Sequence, residues 1–205
     1  YKGVFDIMMS TIDLIILGIL IESPMNAYEI TQYISDRQVG TFLKISDPAI
    51  YKSCKRLLNE GFLDGNPIKE GNQPTKTIYS INPDGRSRFH GLMVFYSSNF
   101  SLWNIEFNAF MWHLEKLDKR QGLKMLRNLG DELREKETWF KCHLAELIPY
   151  VPFSASTILK QNTMLITTLI AWVDEVIEDY KSLRSKKGRK FDVSAVNRIH
   201  GKSDA

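Results

Sequence analysis

The order of hydrophobic patterns along the N-terminal half is the feature that most constrains the fold of this 205-residue chain. Apolar residues recur with helical spacing in three consecutive segments, at about residues 11–22, 27–37 and 48–60. Two short β-like segments follow at residues 62–68 and 76–82, and a fourth helical segment runs to about residue 96. Three helices followed by a β-hairpin is the order of a winged helix-turn-helix, which we predict for residues 1–96.

Residues that favour helix ends support these boundaries. Asn26 is followed three residues later by Glu29, which is the spacing of a capping box. Pro48 suits the first turn of the third helix, and Gly61 stands where a helix commonly ends. Helical spacing places Tyr28 on the inner side of the second helix, together with the isoleucines of that segment.

The polar segment at residues 97–101 marks the predicted domain boundary, and beyond it the apolar spacing is helical. We therefore predict a mainly α protein, in which residues 97–185 form a helical dimerisation domain. Its two long helices are expected at about residues 119–148 and 156–184. A shorter apolar helix face precedes them, at Trp103, Phe107, Phe110, Leu114 and Leu117. The polar residues 186–205 are predicted to be disordered.

The last long helix carries a heptad seam, in which apolar positions alternate three and four residues apart. The seam residues are Leu159, Asn162, Ile166, Leu169, Val173, Val176, Tyr180 and Leu183. Such a seam packs either within one subunit or against a second copy of the chain. We favour the second copy, because a groove-reading module usually needs two half-sites, and Asn162 would then help to specify the register.

The positive charge is concentrated where the third helix and the hairpin lie. Residues 37–90 contain nine basic and five acidic side chains, whereas residues 1–36 contain one basic and five acidic ones. The net charge of the whole chain is only +3, which by itself does not identify a nucleic-acid binder. Its distribution, however, favours contact with phosphate by the third helix and the hairpin.

A helix in the major groove reads base edges with its N-terminal and outward residues. On the third helix these candidates are Ser46, Ala49, Tyr51, Lys52, Lys55 and Arg56. In the wing the polar candidates are Asn72, Gln73, Thr75 and Lys76. Two alternatives remain open: Tyr51 can pack inward, and a winged helix can serve as a protein–protein module without a specific DNA target. Tyr79 is expected to pack against the helices.

Three blocks in the first ninety residues resemble the PadR family of transcriptional regulators. They are LIILGILIESPMNAYEI at residues 14–30, SDPAIYKSCKRLLNEGFL at residues 46–63, and the wing residues from Pro74 to Arg86. Ala27 stands where the family usually has glycine. The residues around Trp172 are similar to the longer, virulence-activator-like subfamily. The resemblance implies a homodimer that binds a pseudo-palindromic operator in double-stranded DNA, commonly as a repressor and sometimes as an activator.

Aromatic residues are frequent in the first part of the helical domain. Core packing explains them, although the same residues could line a pocket for a small aromatic effector. The pocket candidates are Trp103, Phe107, Phe110, Trp112 and Trp139.

Catalytic, metal and cofactor sites are not expected. The chain has no glycine-rich phosphate loop, no nucleophile elbow and no histidine pair with metal-binding spacing. Cys54 and Cys142 lie far apart, outside any zinc-binding or disulfide framework, which fits a reducing cytoplasm. The longest apolar run is too short to cross a membrane.

Overall fold

The computed structural model describes residues 9–37, 39–41, 43, 45–69, 75–100, 105–183 and 192–199. The chain divides into two compact units, Tyr1–Leu102 and Trp103–Ala205. The fourth helix extends to Ser98, so the boundary expected at residues 96–97 lies inside its last turn.

The N-terminal unit has the predicted order of helices and strands. Its helices are α1 Thr11–Glu22, α2 Ala27–Asp36, α3 Asp47–Asn59 and α4 Pro83–Ser98. The antiparallel hairpin between α3 and α4 consists of β1 Leu63–Ile68 and β2 Lys76–Ile81. Its register pairs Leu63 with Ile81 and Ile68 with Lys76. Met25 adds an isolated bridge to Tyr79, so the turn between α1 and α2 is tied to the hairpin.

The capping signals in the sequence act as predicted. The backbone N–H of Glu29 donates to Asn26 Oδ1 at 3.0 Å, and the backbone N–H of Asn26 donates to Glu29 Oε2 at 2.8 Å, which completes the capping box of α2. Gly61 follows the C-cap of α3 with a φ of 79°. Because that region of φ is disfavoured for residues with a Cβ atom, glycine allows the chain to turn from α3 into β1.

One expectation for α2 is wrong. The inner face of α2 consists of Ala27, Ile30, Thr31 and Ile34, whose spacing of three and four residues defines a single stripe. Tyr28 lies two residues before Ile30, hence on nearly the opposite side of the helix, and 61% of it is exposed. The core of this unit is formed by residues from all four helices and from β1; its fully buried side chains include Ile16, Leu17, Ile30, Ile50, Leu57 and Leu92.

The C-terminal unit is built on two long helices, α6 Lys119–Leu147 and α7 Phe153–Ser182. They run antiparallel: Lys119 Nζ, at the start of α6, donates to the Leu183 carbonyl at 2.9 Å, and Arg134, further along α6, binds Asp174. The buried apolar residues of this unit are Leu114, Leu126, Leu133, Val173, Ile177 and Tyr180.

The shorter elements differ from the sequence predictions. Instead of one helix before residue 118, the described residues contain a single helical turn, α5 Asn108–Trp112, and a 3-10 turn at Leu114–Lys116. The segment predicted to be disordered contains a short helix, α8 Val193–Ile199. Asp192 precedes this helix, and its side chain accepts a hydrogen bond from the Ser194 hydroxyl at 2.7 Å. Residues 184–191 and 200–205 lie outside the described residues.

The heptad seam of α7 is used in part within this chain. Its buried members are Leu159, Val173 and Tyr180. Its half-buried members are Asn162, Ile166, Leu169 and Val176. Val173 and Tyr180 pack with Leu126 and Leu133 of the same chain, so they have almost no surface left for a second copy. For these residues the intrachain alternative is correct.

In the part of the chain that the structure describes, no helix combines the length and the apolar character needed to span a bilayer.

Close approach of the two long helices depends on Gly122. A Cβ atom at this position would lie 2.5 Å from the Tyr180 hydroxyl oxygen. We expect Gly122→Ala to lower the melting temperature, because displacing a buried ring costs roughly 1–3 kcal/mol. That cost exceeds the roughly 1 kcal/mol by which alanine favours a helix over glycine.

Gly91→Ala is the matched control for this thermal unfolding measurement by circular dichroism. Gly91 lies inside α4, and a Cβ atom there would meet nothing within 4 Å. It should raise the melting temperature through helix propensity alone. An equal rise for both variants would show that Gly122 is not needed for the helix contact.

Candidate nucleic-acid interface

Helix α3 has one apolar face and one polar face. Ile50, Cys54 and Leu57 are buried in the core of the N-terminal unit. Lys52 and Lys55 are exposed, and 48% of Tyr51 is exposed. Of the alternatives for Tyr51, the inward-packed position is therefore excluded: nearly half of the residue is exposed, and Lys55, one turn later on the same side of the helix, is exposed as well.

The N-terminus of α3 is open to solvent. Ser46 is the N-cap residue, yet its side chain makes no capping hydrogen bond, and the residue is exposed. Ala49 is half-buried and carries only a methyl group. Asp47 and Pro48 belong to the same turn and are also exposed, so this end of α3 combines small side chains with one carboxylate.

The two lysines of α3 carry charge that is not neutralised locally. Neither Lys52 nor Lys55 forms a salt bridge with any residue that the structure describes. One helical turn separates residues 51 and 55, so Tyr51, Lys52 and Lys55 occupy neighbouring positions on the outer side. We call these three residues the outer face of α3.

Arg56 does not share this arrangement. Its Nη2 donates a hydrogen bond to Oδ1 of the buried Asp13 on α1, and its Nη1 donates to Glu60 Oε2 at 2.9 Å. Only 23% of the Arg56 side chain is exposed. The hydrogen bond to Asp13 is the main cause that raises the pKa of Arg56. The prediction that Arg56 lies on the outer surface is therefore wrong, because a buried carboxylate of the same domain holds its guanidinium group.

The hairpin supplies the second part of the candidate interface. Lys69 follows β1 and is exposed, and Thr75 precedes β2 and is also exposed. Lys76 is half-buried at the first position of β2. The candidates Asn72 and Gln73 lie outside the described residues. Tyr79 packs against the first core as expected, and burial raises its pKa.

Sequence reasoning missed Tyr28 as a surface residue. It lies in the first turn of α2, directly after the capping box, and its ring projects into solvent. In helix-turn-helix proteins the helix before the recognition helix crosses the DNA backbone, so this position suits a phosphate contact. A signal was present, since a tyrosine two residues from Ile30 cannot share its side of a helix.

The described members of the predicted aromatic pocket have different packing partners. Phe107 stacks on Trp172 with ring centroids 5.7 Å apart, and Phe110 packs against the core of the C-terminal unit. Trp112 is 73% exposed. Trp139 stacks on His143, one turn further along α6, with centroids 3.8 Å apart. Trp103 lies outside the described residues.

The N-terminal unit matches a known family. Residues 16–91 match the model of the transcriptional regulator PadR-like family. A curated relative, the negative transcriptional regulator PadR of Bacillus subtilis (strain 168), is 28% identical over 79 residues. That alignment covers 38% of this chain and 43% of the relative, so it spans less than half of the relative's length.

Solved structures of similar fold cover more of the chain. Bacillus subtilis PadR in complex with operator DNA gives a TM-score of 0.69 at 17% identity, over 83% of this chain and 99% of that one. The complex of the same protein with p-coumaric acid gives a TM-score of 0.67 at 16% identity, over 85% of this chain and 98% of that one. The Vibrio cholerae virulence activator AphA gives a TM-score of 0.61 at 20% identity, over 84% of this chain and 99% of that one. The predicted fold class, a winged helix with a helical C-terminal domain, is confirmed.

The inner face of α3 can be tested through its cysteine. Burial raises the pKa of the Cys54 thiol to about 12, whereas Cys142 is exposed. Since the thiolate is the reactive form, we expect one rapidly reacting thiol in the folded protein at pH 8 and two in denaturant, measured with a chromogenic disulfide reagent. Cys142→Ser should abolish the rapid reaction. Two rapid equivalents in the folded wild-type protein would contradict the burial of this face.

Proposed function

We propose that this chain, whose residues 16–91 form a PadR-like transcriptional-regulator domain, binds a specific operator in double-stranded DNA as a homodimer and thereby regulates transcription. The observation that carries the proposal is the outer face of α3, where two exposed lysines and a half-exposed tyrosine flank an open helix N-terminus. The proposed role is one of binding without catalysis, in the cytoplasm.

In the proposed complex α3 lies in the major groove. Ser46 and Ala49 permit close approach of the first turn to the base edges, because their side chains are small. Lys52 and Lys55 contact phosphate or the acceptor atoms of guanine, and the Tyr51 hydroxyl donates to phosphate. Tyr28 donates to the backbone from the first turn of α2. Arg56 is left out of these contacts, since Asp13 and Glu60 already hold it.

The wing adds contacts beside the groove that α3 occupies. Lys69, Thr75 and Lys76 lie at the hairpin end distant from the core. Asn72 and Gln73 lie between Lys69 and Thr75 in the sequence. Cationic and amide side chains of this kind bind the DNA backbone or the minor groove. These contacts would add affinity more than sequence discrimination.

The C-terminal unit supports the proposed dimer through incomplete burial. The structure describes all of residues 139–166, and Leu159 is the one buried residue among them. Exposed apolar side chains are frequent in the same stretch: Trp139, Ile148, Tyr150, Phe153, Ile158 and Met164. A second copy of α7 would cover this surface and the half-buried part of the heptad seam, which includes Asn162 and Ile166.

Repression is the proposed direction of regulation. The curated Bacillus subtilis relative is named a negative regulator, and a solved structure of that protein contains p-coumaric acid. By analogy, this chain would occupy an operator until a small aromatic effector releases it. The effector part of the proposal uses a site that differs from the predicted group of five aromatic residues, since Trp139 stacks on His143 of α6, whereas Phe110 and the Trp172 partner of Phe107 pack against the core of the C-terminal unit.

The proposed contacts can be tested by salt-dependent DNA binding. We expect Lys52→Gln and Lys55→Gln each to weaken binding to a duplex that the wild-type protein enriches from a random pool. Each lost phosphate contact should reduce the slope of log affinity against log salt by about 0.9. Fluorescence anisotropy at several salt concentrations measures both quantities.

Lys136→Gln is the matched control for these variants, because Lys136 is exposed on α6 in the other unit. Its affinity and salt slope should equal those of the wild-type protein. If the wild-type protein enriches no sequence at all, the alternative of a winged helix for protein–protein interaction replaces the proposed function.

The proposed dimer can be tested by placing carboxylates on the uncovered side of α7. We expect Ile158→Glu with Leu165→Glu to convert the dimer into a monomer in sedimentation velocity, because a charge buried at an interface is unfavourable. Leu169 and Val176 are less suitable, since they pack against the chain's own core. Gln121→Glu, at an exposed position in the first turn of α6 and outside the uncovered apolar stretch, is the control. A dimer that survives the double substitution would place the interface elsewhere.

A further inference from the structure

Asp13 is a fully buried carboxylate in the N-terminal unit. It lies in the first turn of α1, where its backbone N–H donates to the Ser10 hydroxyl at 3.4 Å. Its Oδ1 accepts the hydrogen bond from Arg56 of α3. Its Oδ2 is buried without a hydrogen-bond partner among the described residues. A buried charge is unfavourable unless it is paired, so this carboxylate depends strongly on Arg56.

The charge of Asp13 acts on titratable side chains of two other helices. Burial raises the pKa of Cys54 on α3 and of Tyr96 on α4, and the charge of Asp13 contributes to the rise in both cases. Asp13 therefore lies where α1, α3 and α4 come together. Any movement of α3 relative to α1 would separate this buried carboxylate from the guanidinium group of Arg56.

Directional contacts between α3 and α1 are otherwise few. Ile50, Cys54 and Leu57 hold α3 through apolar burial, which depends on area and hardly on orientation. An arginine–carboxylate hydrogen bond has a defined geometry. Arg56 stands next to Lys55 in the sequence and one turn after Lys52, so the geometry that fixes Arg56 also fixes the direction of both lysines.

We infer that the Asp13–Arg56 ion pair is the positioning element that sets the rotation of α3, and that it determines base specificity in the DNA complex without touching DNA. The inference rests on the proposed function. Arg56 is a positioning residue and the lysines of the outer face are the contacts. Loss of the pair therefore lowers discrimination between sequences, while the number of neutralised phosphates stays the same.

The test compares Arg56→Gln, Asp13→Asn, and the two combined. Two duplexes are used: the one enriched by the wild-type protein from a random pool, and a scrambled duplex of equal length and composition. Anisotropy titrations at several salt concentrations yield the ratio of the two affinities and the salt slope. Circular dichroism confirms that each variant is folded. The double variant leaves no unpaired buried charge and keeps the net charge of the chain, so it decides the question if a single variant unfolds.

The double variant should lose about tenfold or more in the affinity ratio, which is the effect of one wrongly read base pair. Its salt slope should equal the wild-type value, unlike that of Lys52→Gln, which should fall by about 0.9. Arg56→Lys keeps the ion pair and should restore part of the affinity ratio.

Two results would overturn the inference. The first is a salt slope that falls in Arg56→Gln and in the double variant as much as it falls in Lys52→Gln. Arg56 would then be a phosphate contact. An unchanged affinity ratio in the folded double variant would show that apolar packing alone positions α3. Either result leaves the proposed function intact, whereas failure of the wild-type protein to discriminate between the two duplexes would refute that function first.

Discussion

The burial of one face of α3 is the constraint on which the N-terminal unit depends. Ile50, Cys54 and Leu57 enter a core to which every helix of the unit and β1 contribute. Burial of these positions turns the intervening residues Tyr51 and Lys52 outward, because 3.6 residues per turn rotate each side chain by about 100° relative to the one before it. The core that stabilises the fold and the surface that is proposed to bind DNA are therefore set by the same helical period.

A single ion pair adds direction to this packing. In the sequence, Arg56 appears as one more cation beside Lys55, and its distance from Asp13 is 43 residues. In the fold it belongs to the interior side of α3 and neutralises a carboxylate that water does not reach. Similar residues at adjacent positions thus have different roles: Lys55 carries its charge to solvent, whereas Arg56 holds two helices in a defined geometry.

The apolar side chains of the C-terminal unit are buried at one end of the helix pair and exposed at the other, which bears on the proposed dimer. Near one end of the helix pair, Gly122 and Leu126 of α6 meet Val173 and Tyr180 of α7 closely. Toward the other end, bulky apolar side chains such as Tyr150 and Phe153 remain exposed. A helix pair of this kind has too little core to bury both apolar stripes, which is the physical ground for proposing a second copy.

Local signals in the sequence determined much of this protein. Periodicity and caps predicted helices such as α1 and α6 and the hairpin to within a few residues, because hydrogen bonding and capping act over three or four positions. The positions of Lys52 and Lys55 followed from the same period. The motif blocks at residues 14–30 and 46–63 indicated the family for the part of the chain that the family model matches.

The tertiary structure alone decided which partner each side chain meets. Whether Arg56 faces solvent or Asp13, whether Val173 and Tyr180 pack in the same chain, and whether Phe107 and Trp139 share a pocket depend on contacts between distant segments. Periodicity gives the side of a helix but not the element that lies against it. That information arises only when the helices pack, since packing selects among faces that are equally apolar in sequence.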